Sequence, residues 1–245
     1  SLADADGDGR VDVFLGCSDF AGGRNRLLLP TTAGGWQDHG RQAGLWAGYD
    51  YTRVGAWGDA DNDGRLDLWQ GRTHGGGLPT TSQFFWNRGD TALVNATASL
   101  AGLRPPRAMV AAWLDTDRDG RLDLITARHS PFSAVIPLQE CHPVLFHNRG
   151  DVGTWLQLDL AGAAPNTDAI GAELTVWSAG RPQWRHLDDG SGSGGACPPL
   201  VQHVGLGTAA AADSVVVHWP DGTREIWDDL AAGQRHTLRQ GTGRH

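Results

Sequence analysis

Three copies of one acidic nine-residue pattern, D-x-D-x-D-G-R-[V/L]-D, constrain this chain more than any other feature of its sequence. They occupy residues 4–12, 59–67 and 115–123, and we call them loops 1, 2 and 3. Aspartates gathered around one short turn repel each other unless a cation lies among them. Calcium binds six to eight oxygen atoms, and the glycine at position 6 allows the sharp bend that such a loop needs. The pattern therefore predicts about three Ca2+ sites, one in each loop.

The predicted ligands are the side chains at positions 1, 3, 5 and 9 and the main-chain carbonyl at position 7. They are Asp4, Asp6, Asp8, Arg10 and Asp12 in loop 1; Asp59, Asp61, Asp63, Arg65 and Asp67 in loop 2; and Asp115, Asp117, Asp119, Arg121 and Asp123 in loop 3. The alternative is a set of turns that bind nothing, because aspartate and glycine are both common turn residues. Recurrence of all four aspartates and the glycine favours the metal sites.

The residues that flank the loops argue against an EF-hand. An EF-hand needs a bidentate glutamate at position 12 and a helix on either side. Position 12 is Leu15, Gln70 and Thr126, and the residues after each loop alternate between apolar and polar. Residues 54–57 and 110–114, which precede loops 2 and 3, also have the character of strands. Each loop is therefore predicted to join two antiparallel strands.

A longer repeat surrounds the loops. Its order is strand, loop, strand, variable linker, an aromatic strand that ends in Asn-Arg-Gly-Asp, and a short fourth strand, with repeats near residues 1–45, 46–103 and 104–150. Four antiparallel strands per repeat are typical of a propeller blade. Trp57 and Trp113 take the same place in the pattern, so we expect them to pack blade against blade. No strand is evident before loop 1, so we expect the natural chain to begin upstream.

These repeats resemble FG-GAP/VCBS repeats, the blades of integrin-α-type β-propellers, over residues 1–151. The resemblance rests on the three loops, on residues 84–90 and on the closing Ala-Gly-Leu. It implies calcium binding by the same loop within a β-hairpin. A closed propeller of that family typically has seven blades, and three cannot close a ring. We expect further blades upstream; the alternative is an open arc of three blades with exposed edges.

Residues 152–241 lack the loop and have a different pattern. Alternating residues predict strands at 154–160, 173–177, 183–187, 214–219 and 223–227, with a turn at Pro220-Asp221-Gly222 and a last short strand at 236–238. We expect a small antiparallel, β-sandwich-like domain. The predicted fold is therefore all-β: a partial β-propeller of three four-stranded blades, followed by this domain.

The second domain resembles the ASPIC/UnbV domain of cartilage acidic protein and its bacterial relatives. The resemblance rests on three blocks: Asn166-x-x-Ala169-Ile170-Gly171-Ala172, Gly205-Leu206-Gly207 and Val215-x-Val217-x-Trp219-Pro220-x-Gly222. Residues 189–199 depart from the usual pattern of that family. The resemblance implies an extracellular, cell-surface or periplasmic protein whose biochemical role is mostly undefined.

Composition excludes some functions. The net charge of -8 argues against a nucleic-acid partner, and no apolar run approaches the roughly 18 residues of a membrane span. The three cysteines, Cys17, Cys141 and Cys197, do not form a disulfide scaffold. A Cys141–Cys197 bridge and three free thiols both stay open.

Catalytic patterns are weak. Three histidines, 129, 142 and 147, lie near Glu140 and Cys141, but their spacing matches no zinc motif, so we expect them to be structural. We expect His186, His203 and His218 to be half-buried on strands, and we expect tryptophans 36, 69 and 86 to lie in blade cores rather than on a carbohydrate-binding surface. Asn95-Ala96-Thr97 fits a glycosylation acceptor.

Two functions follow. The first is a calcium-stabilised interaction or adhesion module that binds a protein or glycan. The alternative, which the ASPIC/UnbV resemblance implies, is an enzyme or accessory protein of secondary-metabolite biosynthesis, and a pocket at the junction of the two domains would favour it. No residue pattern indicates a particular catalytic reaction. The sequence does not determine the oligomeric state.

Overall fold

The computed structural model describes residues 1–17, 23–46, 52–72, 82–89, 91–100, 108–127, 142–188 and 199–245. Within these ranges the chain forms β-strands and no helix. The first eleven strands are β1 (Leu2–Ala3), β2 (Asp12–Leu15), β3 (Arg26–Pro30), β4 (Trp36–Asp38), β5 (Thr52–Gly58), β6 (Asp67–Arg72), β7 (Gln83–Asn87), β8 (Leu93–Asn95), β9 (Val110–Leu114), β10 (Asp123–Ala127) and β11 (Val144–Phe146). The rest are β12 (Thr154–Ala161), β13 (Glu173–Ser178), β14 (Arg181–His186), β15 (Gln202–Gly207), β16 (Ala211–His218), β17 (Arg224–Ala231) and β18 (Gln234–Arg239).

These strands form five sheets in a propeller-like arrangement. The first three sheets are antiparallel meanders with the orders β1-β2-β3-β4, β5-β6-β7-β8 and β9-β10-β11, and the last two have the orders β15-β12-β18 and β14-β13-β16-β17. Each acidic loop joins the first two strands of one of the first three sheets, as the sequence predicts. We call β12 to β18 the C-terminal unit. Among the described residues, no helix has the length and apolar character needed to cross a membrane.

The expectation that no strand precedes loop 1 is wrong. The two-residue strand β1 pairs with β2, with Leu2 opposite Val13 and Ala3 opposite Asp12. The main chain of Ser1 and Phe14 adds a hydrogen bond of 2.9 Å beyond this short ladder. A strand of two residues is too short to show an alternating pattern, which is why the sequence does not reveal it.

Neighbouring sheets pack through the tryptophans that the repeat singles out. Trp57 of the second sheet meets Phe14 of the first edge-on, with ring centroids 6.3 Å apart. Trp113 of the third sheet meets Phe84 of the second in the same manner, at 6.0 Å. A side chain on Gly58 would collide with Trp113, so this glycine leaves room for the ring. The predicted role of the two tryptophans is confirmed.

The C-terminal unit has one buried cluster of its own. Its two sheets face each other across leucine and valine side chains that include Leu158, Val204, Val176 and Val217. The expectation of wholly antiparallel strands is wrong at one pair, because β12 and β18 run parallel, with Leu156 opposite Gln234. The two strands are the first and last of the unit in the sequence, so no short hairpin turn of the kind that imposes antiparallel pairing connects them.

Candidate metal centres

The three acidic loops share one backbone shape. The glycine at position 6 has a positive φ in every copy: 83° at Gly9, 89° at Gly64 and 82° at Gly120. Residues with a side chain rarely adopt this conformation, so glycine is the residue that lets the chain turn here. The turn brings together the carboxylates of positions 1, 3 and 5 in loops 1 and 3, and those of positions 1, 3 and 9 in loop 2. The ninth position also begins the next strand.

Carboxylates converge in each loop. The groups whose oxygen atoms lie within 4.8 Å of one another are Asp4, Asp6 and Asp8; Asp59, Asp61 and Asp67; and Asp115, Asp117 and Asp119. Oxygen donors at this separation can share one hard cation. Loop 2 is the most enclosed, with Asp59 and Asp67 buried, whereas Asp117 and Asp119 of loop 3 are exposed.

The position-9 aspartate also closes each loop from within. Its Oδ2 accepts a hydrogen bond from the main-chain amide at position 2: Ala5 to Asp12 (2.7 Å), Ala60 to Asp67 (3.0 Å) and Thr116 to Asp123 (3.3 Å). In the second and third sheets its Oδ1 accepts a further bond from a main-chain amide near the end of the third strand, from Asn87 (2.9 Å) and Asn148 (2.8 Å). Of these three aspartates, Asp67 is the one that belongs to the group of converging carboxylates in its loop.

The arginine at position 7 pairs with the aspartate at position 5, which the sequence does not predict. The guanidinium groups of Arg10, Arg65 and Arg121 contact Asp8, Asp63 and Asp119, respectively. The amide of the same arginine donates to the other oxygen of that aspartate at 2.8–2.9 Å. Each loop therefore carries one positive charge, on the same arginine whose main-chain carbonyl is a predicted ligand.

Burial makes these carboxylates costly to ionise. Desolvation, with smaller contributions from neighbouring aspartates, raises the pKa of Asp12 and of Asp59 to about 7. Desolvation also raises the pKa of Asp67 well above its ordinary value. A bound cation would offset this cost by restoring favourable electrostatics to the charged form.

Some of the buried carboxylate oxygens have no hydrogen-bond partner. They are Oδ1 of Asp4, Oδ1 of Asp12 and Oδ1 of Asp61. A buried polar atom without a partner is costly and calls for an explanation such as an ion. The first two atoms belong to loop 1 and the third to loop 2. The donor sets of these loops therefore fit a hard divalent cation.

The position-1 aspartates connect the loops to the C-terminal unit. Oδ2 of each one accepts a hydrogen bond from a different strand of that unit. The donors are the amide of Trp184 in β14 to Asp4 (3.2 Å), the amide of Gly205 in β15 to Asp59 (3.1 Å) and Nε2 of Gln157 in β12 to Asp115 (2.9 Å). Sequence reasoning missed these contacts. The one available signal was Gly205, which belongs to a block that carries the ASPIC/UnbV resemblance.

Asn62, at position 4 of loop 2, is a second junction between the units. Its carbonyl accepts from the amide of Gly207 at 2.7 Å, and its side-chain oxygen lies 2.8 Å from Nε2 of His203. Its side-chain amide donates to the carbonyls of Gly120 and Gly153 at 2.9 and 3.2 Å. Loop 2 thus contacts both loop 3 and the C-terminal unit through one buried side chain.

A cavity of about 970 Å³ lies between the inner strands β1, β5 and β9 and the C-terminal unit. Its walls include four tryptophans and several charged or titratable groups, among them Trp57, Trp113, Trp155, Trp184, Arg118, Arg185, Asp188, His186 and His203. Two tryptophan–histidine pairs are stacked there, Trp155 on His203 and Trp184 on His186, each with ring centroids 5.8 Å apart. A pocket at this junction is the feature that, in the sequence analysis, would favour an enzyme.

Some of the remaining histidine and cysteine candidates lie within the described residues, and others do not. His147 lies 3.3 Å from Oδ2 of Asp123 and so supports loop 3. His186 and His203 are half-buried as predicted, but His218 is exposed. Cys17 is a free thiol. The positions of His129, Glu140, Cys141 and Cys197 lie outside the described residues, so the proposed bridge stays a prediction.

The aromatic candidates are mostly core residues. Trp69 is fully buried, and Trp86 is partly buried against Phe84. The expectation of burial is wrong for Trp36, which is 51% exposed. It lies on β4, the edge strand of the first sheet, whose three residues are all exposed. Asn95 of the glycosylation pattern is also exposed.

Comparison with known proteins gives a relationship for the C-terminal part of the chain. A family model described as ASPIC and UnbV matches residues 162–245, which cover β13 to β18. No curated protein matches the chain. Trp184 of β14 and Gly205 of β15, whose amides donate to Asp4 and Asp59, lie within the matched part. Residues 162–245 of this chain are therefore similar to the ASPIC and UnbV family.

Proposed function

We propose that this chain is a calcium-stabilised interaction module of the cell exterior. In this proposal the first three sheets are FG-GAP/VCBS-type blades, and the last two sheets form a sandwich-like ASPIC/UnbV domain. Each acidic loop binds one Ca2+ ion, and the surface that the blades present binds a protein or glycan. The metal has a structural role rather than a catalytic one.

The observation that carries the proposal is the set of buried carboxylate oxygens without partners. Oδ1 of Asp4 and Oδ1 of Asp61 each belong to a cluster of three carboxylates whose oxygens lie within 4.8 Å of one another. Water does not reach these atoms, and no protein donor does. A dication is the simplest group that satisfies several such oxygens at once.

Each loop would supply most of the coordination from its own residues. The converging carboxylates are the ligands expected first, with the carbonyls of Arg10, Arg65 and Arg121 as additional oxygen donors. The ion would neutralise the aspartates and stabilise the turn between the first two strands of a sheet. The hydrogen bonds of the position-9 aspartate already fix the base of that turn, so the loop is prepared for the ion.

The test is calcium titration of the chelator-stripped protein by isothermal calorimetry, combined with thermal unfolding. We expect about three ions per chain and a melting temperature several degrees higher with calcium than with EGTA. Replacing Asp61 and Asp63 together by alanine should remove one ion and leave two. The control is Asp159→Asn, which alters a carboxylate paired with Arg235 outside the loops. Unchanged melting in EGTA, or no heat of binding, would refute the proposal.

The junction cavity supports a second candidate, a substrate or ligand site of an enzyme. Its combination of tryptophan faces with arginine, histidine and aspartate resembles small-molecule sites, which are mostly apolar with a few converging polar groups. Native mass spectrometry of the protein from its own host would test this candidate. A bound small molecule would favour the enzyme, and a bare chain mass with only calcium would count against it.

A further inference from the structure

One carboxylate in each acidic loop serves two parts of the molecule. Oδ2 of the position-1 aspartate accepts the amide of the loop's own glycine: Gly9 at 3.1 Å, Gly64 at 2.9 Å and Gly120 at 3.1 Å. The same oxygen accepts a donor from the C-terminal unit in all three loops. One oxygen atom in each loop therefore contributes both to the shape of the loop and to its contact with the C-terminal unit.

The contact leaves little room for adjustment. A side chain on Gly205 would collide with Oδ2 of Asp59, and one on Gly120 would collide with the ring of Trp155. A side chain on Gly153 would lie 2.6 Å from the carbonyl of Asn62. These glycines therefore let the loops and the C-terminal unit pack closely with no room for an added methyl group, and a loop that changes shape loses its contacts instead of shifting with its partner.

A buried charge reinforces the same surface. Arg185 of β14 is 7% exposed, and its guanidinium donates to the carbonyl of Trp184 at 2.9 Å and to Oε1 of Gln183 at 3.0 Å. It also attracts Asp59 and Asp4 electrostatically. A buried cation needs nearby negative charge. Arg185 therefore stabilises the ionised position-1 aspartates of loops 1 and 2 where they contact the C-terminal unit.

We infer that calcium binding by the loops and docking of the C-terminal unit are coupled, so that each strengthens the other. The docking face consists of Asp4, Asp59, Asp115 and Asn62 on the loops and of β12, β14 and β15 on the unit. The inference rests on the proposed calcium sites. An ion that orders the loop holds Oδ2 in place for the C-terminal donors. Docking in turn holds the carboxylate in place for the ion, and such coupling is reciprocal.

Hydrogen exchange measures this coupling directly. The amides of Gly153, Gly205 and Gly207 donate to the carbonyl of Asp61, to Oδ2 of Asp59 and to the carbonyl of Asn62, respectively, so their protection depends on docking. We expect these amides to exchange on the order of tenfold faster in EGTA than in calcium, a factor that corresponds to about 1.4 kcal/mol. The amides of Val215 and Val217, inside the C-terminal unit, should exchange at the same rate in both.

A matched pair of glutamines tests the reverse direction. Gln157→Leu removes the donor to Asp115, whereas Gln202→Leu removes a side-chain bond to Leu200 within the same unit. Neither glutamine is a predicted metal ligand. In the full chain we expect Gln157→Leu to weaken one of the three calcium sites by several-fold in calorimetry. Gln202→Leu should leave all three sites unchanged.

The outcomes separate this inference from the proposed function. Calcium binding without any change in exchange at Gly153, Gly205 and Gly207 would overturn the coupling and leave the calcium sites intact. Equal calcium affinity in Gln157→Leu and the unmodified chain would also count against it. Absence of calcium binding altogether would refute the proposed function, and the coupling with it.

Discussion

The amide of Gly205 donates a 3.1 Å hydrogen bond to Oδ2 of Asp59, a residue 146 positions earlier in the chain. Gly205 lies in β15 of the C-terminal unit, and Asp59 opens loop 2. The bond is buried, and it ends on a carboxylate that also shapes the loop. Hydrogen bonds to charged groups are the stronger ones in proteins, so this contact contributes more than an ordinary surface bond.

Gly205→Ala should therefore destabilise the protein. The added methyl group would collide with the Asp59 carboxylate and with the backbone of Asn62. We expect a loss of about 1–3 kcal/mol in the free energy of unfolding, as for an overpacked core, measured by urea denaturation. Gly150→Ala is the control, since its methyl group would meet the nearest atom at 3.4 Å. Equal stability of the two variants would show that the two units separate without cost.

Asn87 links the first two sheets and should be equally sensitive. Its side-chain amide donates to the carbonyl of Ala5 in loop 1 at 2.7 Å and to that of Leu66 at 3.1 Å, and the residue is 2% exposed. Asn87→Ala leaves two buried carbonyls without this donor, which we expect to cost about 2–3 kcal/mol in unfolding free energy. Asn95→Ala is the control because Asn95 is exposed and accepts one local bond, from Thr97. A loss no larger than in this control would contradict the link.

Much of the first three sheets could be predicted from the sequence because its signals are local. The glycine at position 6, the alternating strands and Trp57 and Trp113 each act within a few residues or recur at a fixed spacing. The acidic clusters follow from the same short motif. What the repeat could not reveal was the short strand β1, whose two residues carry no periodicity.

The docking of the C-terminal unit could not be predicted for a physical reason. Two of its three donors to the position-1 aspartates are main-chain amides, of Trp184 and Gly205, and almost every residue has such an amide. Their use depends on which strands meet in space rather than on side-chain chemistry. The parallel pairing of β12 with β18 is hidden in the same way, since no turn connects the two strands.

The arginine at position 7 should compete with calcium. In loop 2, Nη1 of Arg65 lies 2.6 Å from Oδ2 of Asp63, an oxygen that is a predicted ligand. Arg65→Gln removes this competitor and a nearby positive charge, so we expect calcium to bind one site about two- to five-fold more tightly, as the small energy of a partly exposed pair implies. Calorimetry would measure the change. Arg26→Gln, which affects a 3.7 Å pair with Asp38 away from the loops, is the control. Weaker binding in Arg65→Gln would show that the arginine assists the site.

His203 should make stability depend on pH at the junction of the units. Burial, with a smaller contribution from Arg185, lowers the pKa of His203 from 6.5 to about 4. Between these values the unfolded chain binds a proton that the folded chain does not, so the stability due to this group is lost as the pH falls from about 6.5 to about 4. The whole shift implies a loss of roughly 3 kcal/mol.

The measurement is urea denaturation at pH 7 and at pH 4.5 in saturating calcium, on the unmodified chain and on His203→Gln. Because glutamine does not titrate, the variant should lack this part of the pH dependence, while titration of the aspartates contributes to both proteins. His218→Gln serves as the control, since His218 is an exposed histidine on β16. Identical pH dependence in His203→Gln and the unmodified chain would mean that the imidazole stays accessible to protons, and that the contact between His203 and Asn62 opens in the folded protein.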